Sequence, residues 1–337
     1  MNGIYILAND VVYHQLVALL NSIEVNAGGD FPVCIIPYND NLTQVKQEVL
    51  KRQNVTIFEN KTMSENWDNF IINLWQYYPA EVTKIWQNKG YKIDEQNLHK
   101  YRQGTYHRYY GFDGIFDRFI YLDADTLLLN SLEMFFKQLD QHDFIVYDFQ
   151  HKDLSHVYNI YSDKLTEVFS QDSLDKKIFC SGLFATKKGI FNKEQRDWLI
   201  SQLQQGEAEI LYLPAPDQTL LNYMVMKTGI SNYNFALNLP SEQVTGCSVS
   251  STHFIEKDHL VYDHGKQLTY LHYIGLSSDI FNRLCGGENI DFPYRETFLH
   301  YRYLHEPEKR PKFTGKPKPY NAHPSLLKRV LRKLGIN

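Results

Sequence analysis

The chain has 337 residues, of which 43% are hydrophobic and 14% aromatic, ample for one enlarged domain or two fused lobes. A net charge of −4 excludes any global electrostatic pull toward nucleic acid. Cys34, Cys180, Cys247 and Cys285 lie far apart without a C-x-x-C pair, which argues against a zinc site and a disulfide framework and for a reducing compartment.

The predicted elements begin with residues 4–8, a short apolar run that reads as a buried strand. Met1-Asn2-Gly3 leads into it without a basic segment, so no secretory signal is expected, and no apolar run is long enough to span a bilayer. Asn9 or Asp10 can cap the following helix, where Val12, Leu16, Leu19, Leu20 and Ile23 fall at helical spacing. A strand at 33–36, a helix at 43–53 and a strand at 55–58 complete a β-α-β-α-β start, which predicts a parallel sheet with helices on both faces. Residues 60–105 break the rhythm as an inserted helical segment. Trp67, Phe70, Ile71, Leu74, Trp75 and Tyr78 share one helical face there, either as packing or as an aromatic platform for a sugar. A helix through Arg102, Thr105 and Arg108 then leads into the apolar run 119–129.

That run carries Asp123 and Asp125, one residue apart. On a strand, residues i and i+2 point to the same side, so both carboxylates can aim at one point. Two such acids in a burying segment repel each other, and a hard divalent cation offsets the repulsion. The alternative is one buried acid capping a turn and one solvated acid. Downstream, 144–147 reads as a strand ended by Asp148, and 178–185 as a strand with an interior glycine. A helix opens near Asp217-Gln218, and strand-like runs occupy 233–239 and 268–274, with His272 and Gly275 at the end of the latter. From about 291 the chain turns basic. Lys309, Arg310, Lys312, Lys316 and Lys318 precede a short amphipathic helix with Leu326, Leu327, Val330, Leu331 and Leu334 on one face. Residues 309–334 therefore suit either an anionic membrane surface or docking on the body of the protein.

Several segments together resemble glycosyltransferase family 8, the glycogenin and bacterial lipooligosaccharide galactosyltransferase group. Ala8-Asn9-Asp10-x-x-Tyr13 resembles its nucleotide-binding turn, and Thr105-Tyr106-His107-Arg108 its donor-facing helix. Tyr121-Leu122-Asp123-Ala124-Asp125-Thr126 matches its metal motif. Phe179-Cys180-Ser181-Gly182-Leu183, Asp217-Gln218-x-x-Leu221-Asn222 and His272-x-x-Gly275 resemble its later motifs. The likeness covers about residues 4–280. After Gly275 the chain reads Leu276-Ser277-Ser278-Asp279 where the family carries Lys-Pro-Trp, and Cys180 stands where Asn is usual. Arg283 or a tail lysine is the candidate substitute for that lysine.

The resemblance implies a GT-A α/β fold: a Rossmann-like, mostly parallel twisted sheet flanked by helices, spanning 1–290, with a basic extension at 291–337. It implies transfer of a sugar from a nucleotide diphosphate sugar, a UDP-sugar, to a saccharide, lipid-linked or protein acceptor, with retention of configuration. Asp123, Asp125 and His272 would hold Mn²⁺ (or Mg²⁺). Ala8, Asn9, Asp10, Tyr13, Arg108, Ala124, Ser181, Asp217 and Gly275 would hold the donor, with Arg102 in reserve for Arg108. Asp148 and Gln218 would line the reacting face. Read from the residues alone, His272 can equally be a core histidine, Arg108 a surface ion pair, and Asn9, Asp148 and Asp217 turn or cap residues. The basic tail and the missing signal suggest a cytoplasmic setting, visiting an anionic membrane face. Two other readings stand beside this one. One is a non-catalytic nucleotide-sugar-binding protein, which the missing Lys-Pro-Trp favours. The other is a haloacid-dehalogenase-like phosphatase, whose first motif D-x-D-x-T resembles Asp123 to Leu127, with Thr one place early at 126, but belongs on a first strand.

Overall fold

The computed structural model describes residues 1–321. The amphipathic helix expected at 324–334 lies outside them. β1 (Asn2–Ala8), α1 (Tyr13–Asn26), β2 (Val33–Pro37), α2 (Thr43–Val49) and β3 (Val55–Ile57) form the expected alternation. The inserted segment contributes α3 (Lys61–Trp75) and α4 (Ala80–Asn88), and the helix that follows winds as a 3-10 helix, Gln103–Asp113. Next come β4 (Arg118–Asp123), β5 (Thr126–Leu128), α5 (Glu133–Gln138) and β6 (Phe144–Val146). Short helices α6 (Lys164–Val168) and α7 (Gln171–Lys177) lead to β7 (Leu183–Lys187), α8 (Lys193–Gln204) and α9 (Pro216–Lys227). β8 (Asn232–Asn234) and α10 (Phe235–Asn238) precede a small antiparallel unit of β9 (Ile255–Lys257), β10 (Leu260–Asp263) and β11 (Lys266–Gln267). β12 (Tyr270–His272), α11 (Ser278–Cys285) and α12 (Arg295–Arg302) follow.

The main sheet has seven strands in the order β3-β2-β1-β4-β7-β6-β8. β3, β2, β1 and β4 are parallel, β7 runs against both β4 and β6, and β6 is parallel to β8. The chain leaves β1 toward β2 on one side and returns as β4 on the other. In open α/β sheets such a reversal opens a crevice at the strands' carboxyl ends. Alternation divides the strands between two cores. Tyr5, Leu7, Phe119 and Tyr121 face α3, the 3-10 helix, α8 and α9, whereas Ile4, Ile6, Ile120 and Leu122 face α1, α2 and α5.

Trp67 and Trp75 are fully buried in the first of these cores, and Trp67 Nε1 donates to Asp113 Oδ2 at 2.8 Å. These two rings therefore pack; they do not form an exposed sugar platform. A third core gathers Tyr273, Phe281, Phe292 and Phe298. There α12 packs on α1, and Asn21 and Asn26 donate to the carbonyl and hydroxyl of Tyr301. The residues just past 290 are thus continuous with the body of the fold.

Three stretches read as single strands are broken. Residues 119–129 stop as a main-sheet strand at Asp123. Ala124-Asp125 turn, Thr126 Oγ1 donates to the Asp123 carbonyl at 2.7 Å, and β5 departs to pair antiparallel with β12. Residues 178–182 are not strand, and β7 begins only at Leu183. β8 ends at Asn234, whose side chain accepts from Ala236 N and caps α10.

Candidate active site

A cavity of about 900 Å³ opens at the carboxyl end of β4 and is lined by Arg108, Asp123, Asp125, Asp148, Asp217 and His272, among others. Asp123 and Asp125 meet there by a different route from strand alternation. Asp123 ends β4, and its N–H donates to the Gly182 carbonyl at 2.8 Å. Asp125 sits in the turn beyond, and its own carbonyl accepts from Tyr273 N at 2.9 Å. Because Thr126 pairs with His272 across β5 and β12, the imidazole arrives beside the turn. His272 Nε2 lies 3.3 Å from Asp125 Oδ1, and ligand atoms of Asp123, Asp125 and His272 all fall within 4.8 Å of one another. Two carboxylates and one imidazole form a donor set that suits a divalent cation with oxygen and nitrogen ligands, Mn²⁺ better than Mg²⁺.

The electrostatics agree with that fit. Burial raises the Asp123 carboxyl above its ordinary value and Asp125 adds to this, while Arg108 opposes it. Burial works against ionisation at Asp125 too, but His272 outweighs it and holds the carboxyl below its usual range. Burial disfavours the His272 cation, yet attraction to Asp125 wins and raises the imidazole well above its usual value. Six aspartates, at 123, 125, 148, 153, 217 and 263, line the cavity against three strong bases, Arg102, Arg108 and Lys152. A diphosphate would enter that surplus of acid only with a cation.

Arg108 is buried beneath the floor. Nη2 contacts Asp123 Oδ1 at 3.2 Å and Asp217 Oδ2 at 3.0 Å, and Nη1 donates to the Ser181 carbonyl at 2.8 Å. Its guanidinium stacks 4.8 Å over Tyr121, whose hydroxyl donates to Asp123 Oδ1 at 2.6 Å. Arg108 therefore holds two acids in place, with its charge already shared between them. Gln218 is oriented at both ends, accepting from Ser181 N at 3.1 Å and donating to the His156 carbonyl at 3.0 Å. Asp148 is buried. One oxygen accepts from Gln150 N at 2.7 Å, and Oδ2 has no partner among the described residues. Burial, against which the Gln150 N–H works, pushes its carboxyl up to about 7.

The residues read for the nucleotide turn have other partners. Ala8 ends β1 within the second core. Asn9 Oδ1 accepts from Val11 N, and both Asp10 oxygens accept from Gln44 N at the start of α2. The Tyr13 hydroxyl donates to Glu48 Oε2 at 3.3 Å. None of these four lines the cavity, nor do Ala124 and Gly275. Ala124 is the buried residue of the turn and Gly275 holds a φ of +83°. Arg283 is engaged by Glu288 at 2.7 Å and Asp279 at 3.2 Å, away from the cavity. Lys152, which the sequence reading passed over, lines it and forms no ion pair among the described residues. Its exposed position beside Phe149 left no periodic signal. A second cavity of about 520 Å³ lies between α1, α2 and α12, but its Arg52, Lys51, Arg302 and His305 are paired with Glu24, Glu48 and Glu306.

No family model matches the chain, and no curated protein matches it significantly. Solved structures do. The galactosyltransferase LgtC, solved in complex with donor and acceptor sugar analogs, is 12% identical with a TM-score of 0.50, over 94% of this chain and 98% of that one. Mouse xyloside xylosyltransferase 1, in its apo form, is 11% identical with a TM-score of 0.47, over 68% of this chain and 83% of that one. Core-mannan synthase A from Aspergillus fumigatus, in a Mn/GDP form, is 11% identical with a TM-score of 0.43, over 70% and 72%. At such identities the likeness is one of fold, carried by the first of the three. The chain has the mixed α/β architecture of GT-A glycosyltransferases, with a mostly parallel central sheet flanked by helices.

Proposed function

We propose that this protein is a glycosyltransferase of the family 8 type, moving a sugar from a UDP-sugar to a saccharide, lipid-linked or protein acceptor with retention of configuration. The observation that carries the reading is the convergence of Asp123, Asp125 and His272 on one point in a large cavity at the sheet's topological reversal. A divalent cation held there supplies positive charge where the leaving diphosphate gains negative charge. The bond between the anomeric carbon and the phosphate oxygen breaks, and its electron pair stays on the phosphate. The acceptor hydroxyl forms the new bond on the same face and gives its proton to that phosphate oxygen. Arg108 holds Asp123 and Asp217 in position throughout. The unpartnered Asp148 Oδ2 and the fixed amide of Gln218 are suited to hydroxyls of the sugar. Lys152 and Arg102 take the part of the absent Lys-Pro-Trp lysine, since Arg283 is committed elsewhere.

The D-x-D begins at the end of the fourth strand of the chain and runs into the turn beyond, whereas the phosphatase motif belongs on a first strand. Among the described residues no helix is long and apolar enough to cross a membrane. A cytoplasmic enzyme touching an anionic membrane through 309–334 is part of the proposal. The test is a panel of nucleotide sugars assayed for Mn²⁺-dependent release of the nucleoside diphosphate. Asp125→Asn should lose roughly 100-fold or more in rate. Undiminished release by that variant would refute the reading. Thermal stabilisation by UDP with Mn²⁺, but no turnover, would instead identify a nucleotide-sugar-binding protein.

A further inference from the structure

We propose that His253, Asp263 and His264 form a second metal site, for a zinc-class transition ion, at the rim of the same cavity. His253 Nε2 lies 3.0 Å and His264 Nε2 3.6 Å from Asp263 Oδ1, and ligand atoms of the three fall within 4.8 Å of one another. The two imidazole rings stand 5.4 Å apart at 31°. Both are exposed, so an ion can reach them, while the Asp263 carboxylate between them is nearly buried. Its second oxygen accepts from Gly246 N at 2.8 Å, which fixes how the first is presented. A ligand oriented by a further hydrogen bond of this kind is typical of sites that hold their ion firmly.

Two imidazoles and one carboxylate suit Zn²⁺, Co²⁺ or Ni²⁺ and disfavour Mg²⁺ or Ca²⁺. The set shares no residue with Asp123, Asp125 and His272. Cysteine spacing could not reveal it, because no thiolate takes part.

The site's position indicates what an ion would do. Asp263 ties the start of a loop, at Gly246, to its end, at His253. Between these points Ser248, Ser250 and Ser251 supply part of the cavity wall. His264 belongs to the β10–β11 turn, where its φ of +46° is one that side chains other than glycine seldom adopt. An ion would join that turn to the loop and stiffen this side of the cavity. Three protein ligands leave a further coordination position for water or a substrate oxygen.

The inference does not rest on the proposed transfer reaction. It is tested on metal-stripped full-length protein carrying Asp125→Asn, by calorimetric titration with Zn²⁺ and by the visible absorption of Co²⁺. One equivalent should bind, and adding His253→Ala or His264→Ala should weaken it by roughly tenfold or more and bleach the cobalt spectrum. Both imidazoles are exposed, so each variant should stay folded without metal, His253→Ala giving up only its hydrogen bond to Asp263. Equal Zn²⁺ affinity with and without the histidines, or loss of all Zn²⁺ binding in Asp125→Asn alone, would overturn the proposal.

Discussion

Gly182 lies directly beneath His272: a Cβ placed on Gly182 would sit 2.5 Å from the imidazole Cε1 and 3.0 Å from Nδ1. The glycine is there for space, because its φ is not in the left-handed region. Gly182→Ala should therefore push the imidazole off the point it shares with Asp123 and Asp125. Affinity for Mn²⁺ should fall roughly 10- to 100-fold. Stability should drop by only about 1–3 kcal/mol, the usual cost of overpacking. Calorimetric titration with Mn²⁺ checks this, and unchanged affinity would mean that His272 is not a ligand.

Much of this relationship was legible in the sequence, and the rest was not for identifiable reasons. Apolar runs at 4–8, 33–36 and 119–123 announced the parallel half of the sheet because strands covered on both faces carry few polar letters. The D-x-D and His272 stood out as polar interruptions of such runs. The turn at Ala124-Asp125 stayed hidden, because the apolar letters at 127–129 look like more of the same strand. In fact Leu127 and Leu128 belong to β5, with Leu127 and Leu129 buried in the third core and Leu128 in the second. Asp10 was legible as a cap but not as the cap of α2, whose N-terminus reaches it only through the fold. His253 precedes β9, whereas Asp263 ends β10 and His264 follows it in the β10–β11 turn, so no spacing rule joins the first to the other two.

Asp148 should make stability fall as pH rises. Burial puts its carboxyl near 7 in the folded protein, against about 3.9 when unfolded. Between those values the native state binds more protons than the unfolded one, so the slope of stability with pH is negative there. Asp148→Asn removes this contribution. In metal-free protein the variant should gain on the parent between about pH 5 and about pH 8, by an amount on the order of a few kcal/mol. Urea unfolding across that range is the measurement, and a constant difference between the two proteins would contradict the assignment.

His14 should act in the opposite sense. Burial, with Arg302 donating to its Nδ1 at 2.9 Å, lowers the imidazole to about 4. The unfolded chain thus holds the extra proton between about 4 and about 6.5, and stability is lost as pH falls through that window. His14→Gln keeps an acceptor for Arg302 but cannot take up a proton. Its unfolding free energy should be less sensitive to acid, by on the order of 3 kcal/mol over the window. An equally steep acid limb in the variant would count against His14.

Arg108 provides the sharpest separation of architecture from catalysis. Its guanidinium is 5% exposed and touches Asp123, Asp217 and the Ser181 carbonyl at once. Truncation to Ala strands the buried Asp217 and leaves the half-buried Asp123 to the Tyr121 hydroxyl, and leaving a buried charge without its partner costs about 3–5 kcal/mol. Arg108→Ala should lose that much in metal-free urea unfolding. An ion between Asp123 and Asp125 offsets one of the stranded charges, so saturating Mn²⁺ should return a measurable part of the loss. Arg108→Lys keeps a positive charge but cannot reach three oxygens in a plane, and should fall between the parent and Ala. If Arg108→Ala unfolds at the parent's urea midpoint, then Asp123 and Asp217 do not depend on Arg108, and the floor of the cavity is held by something else.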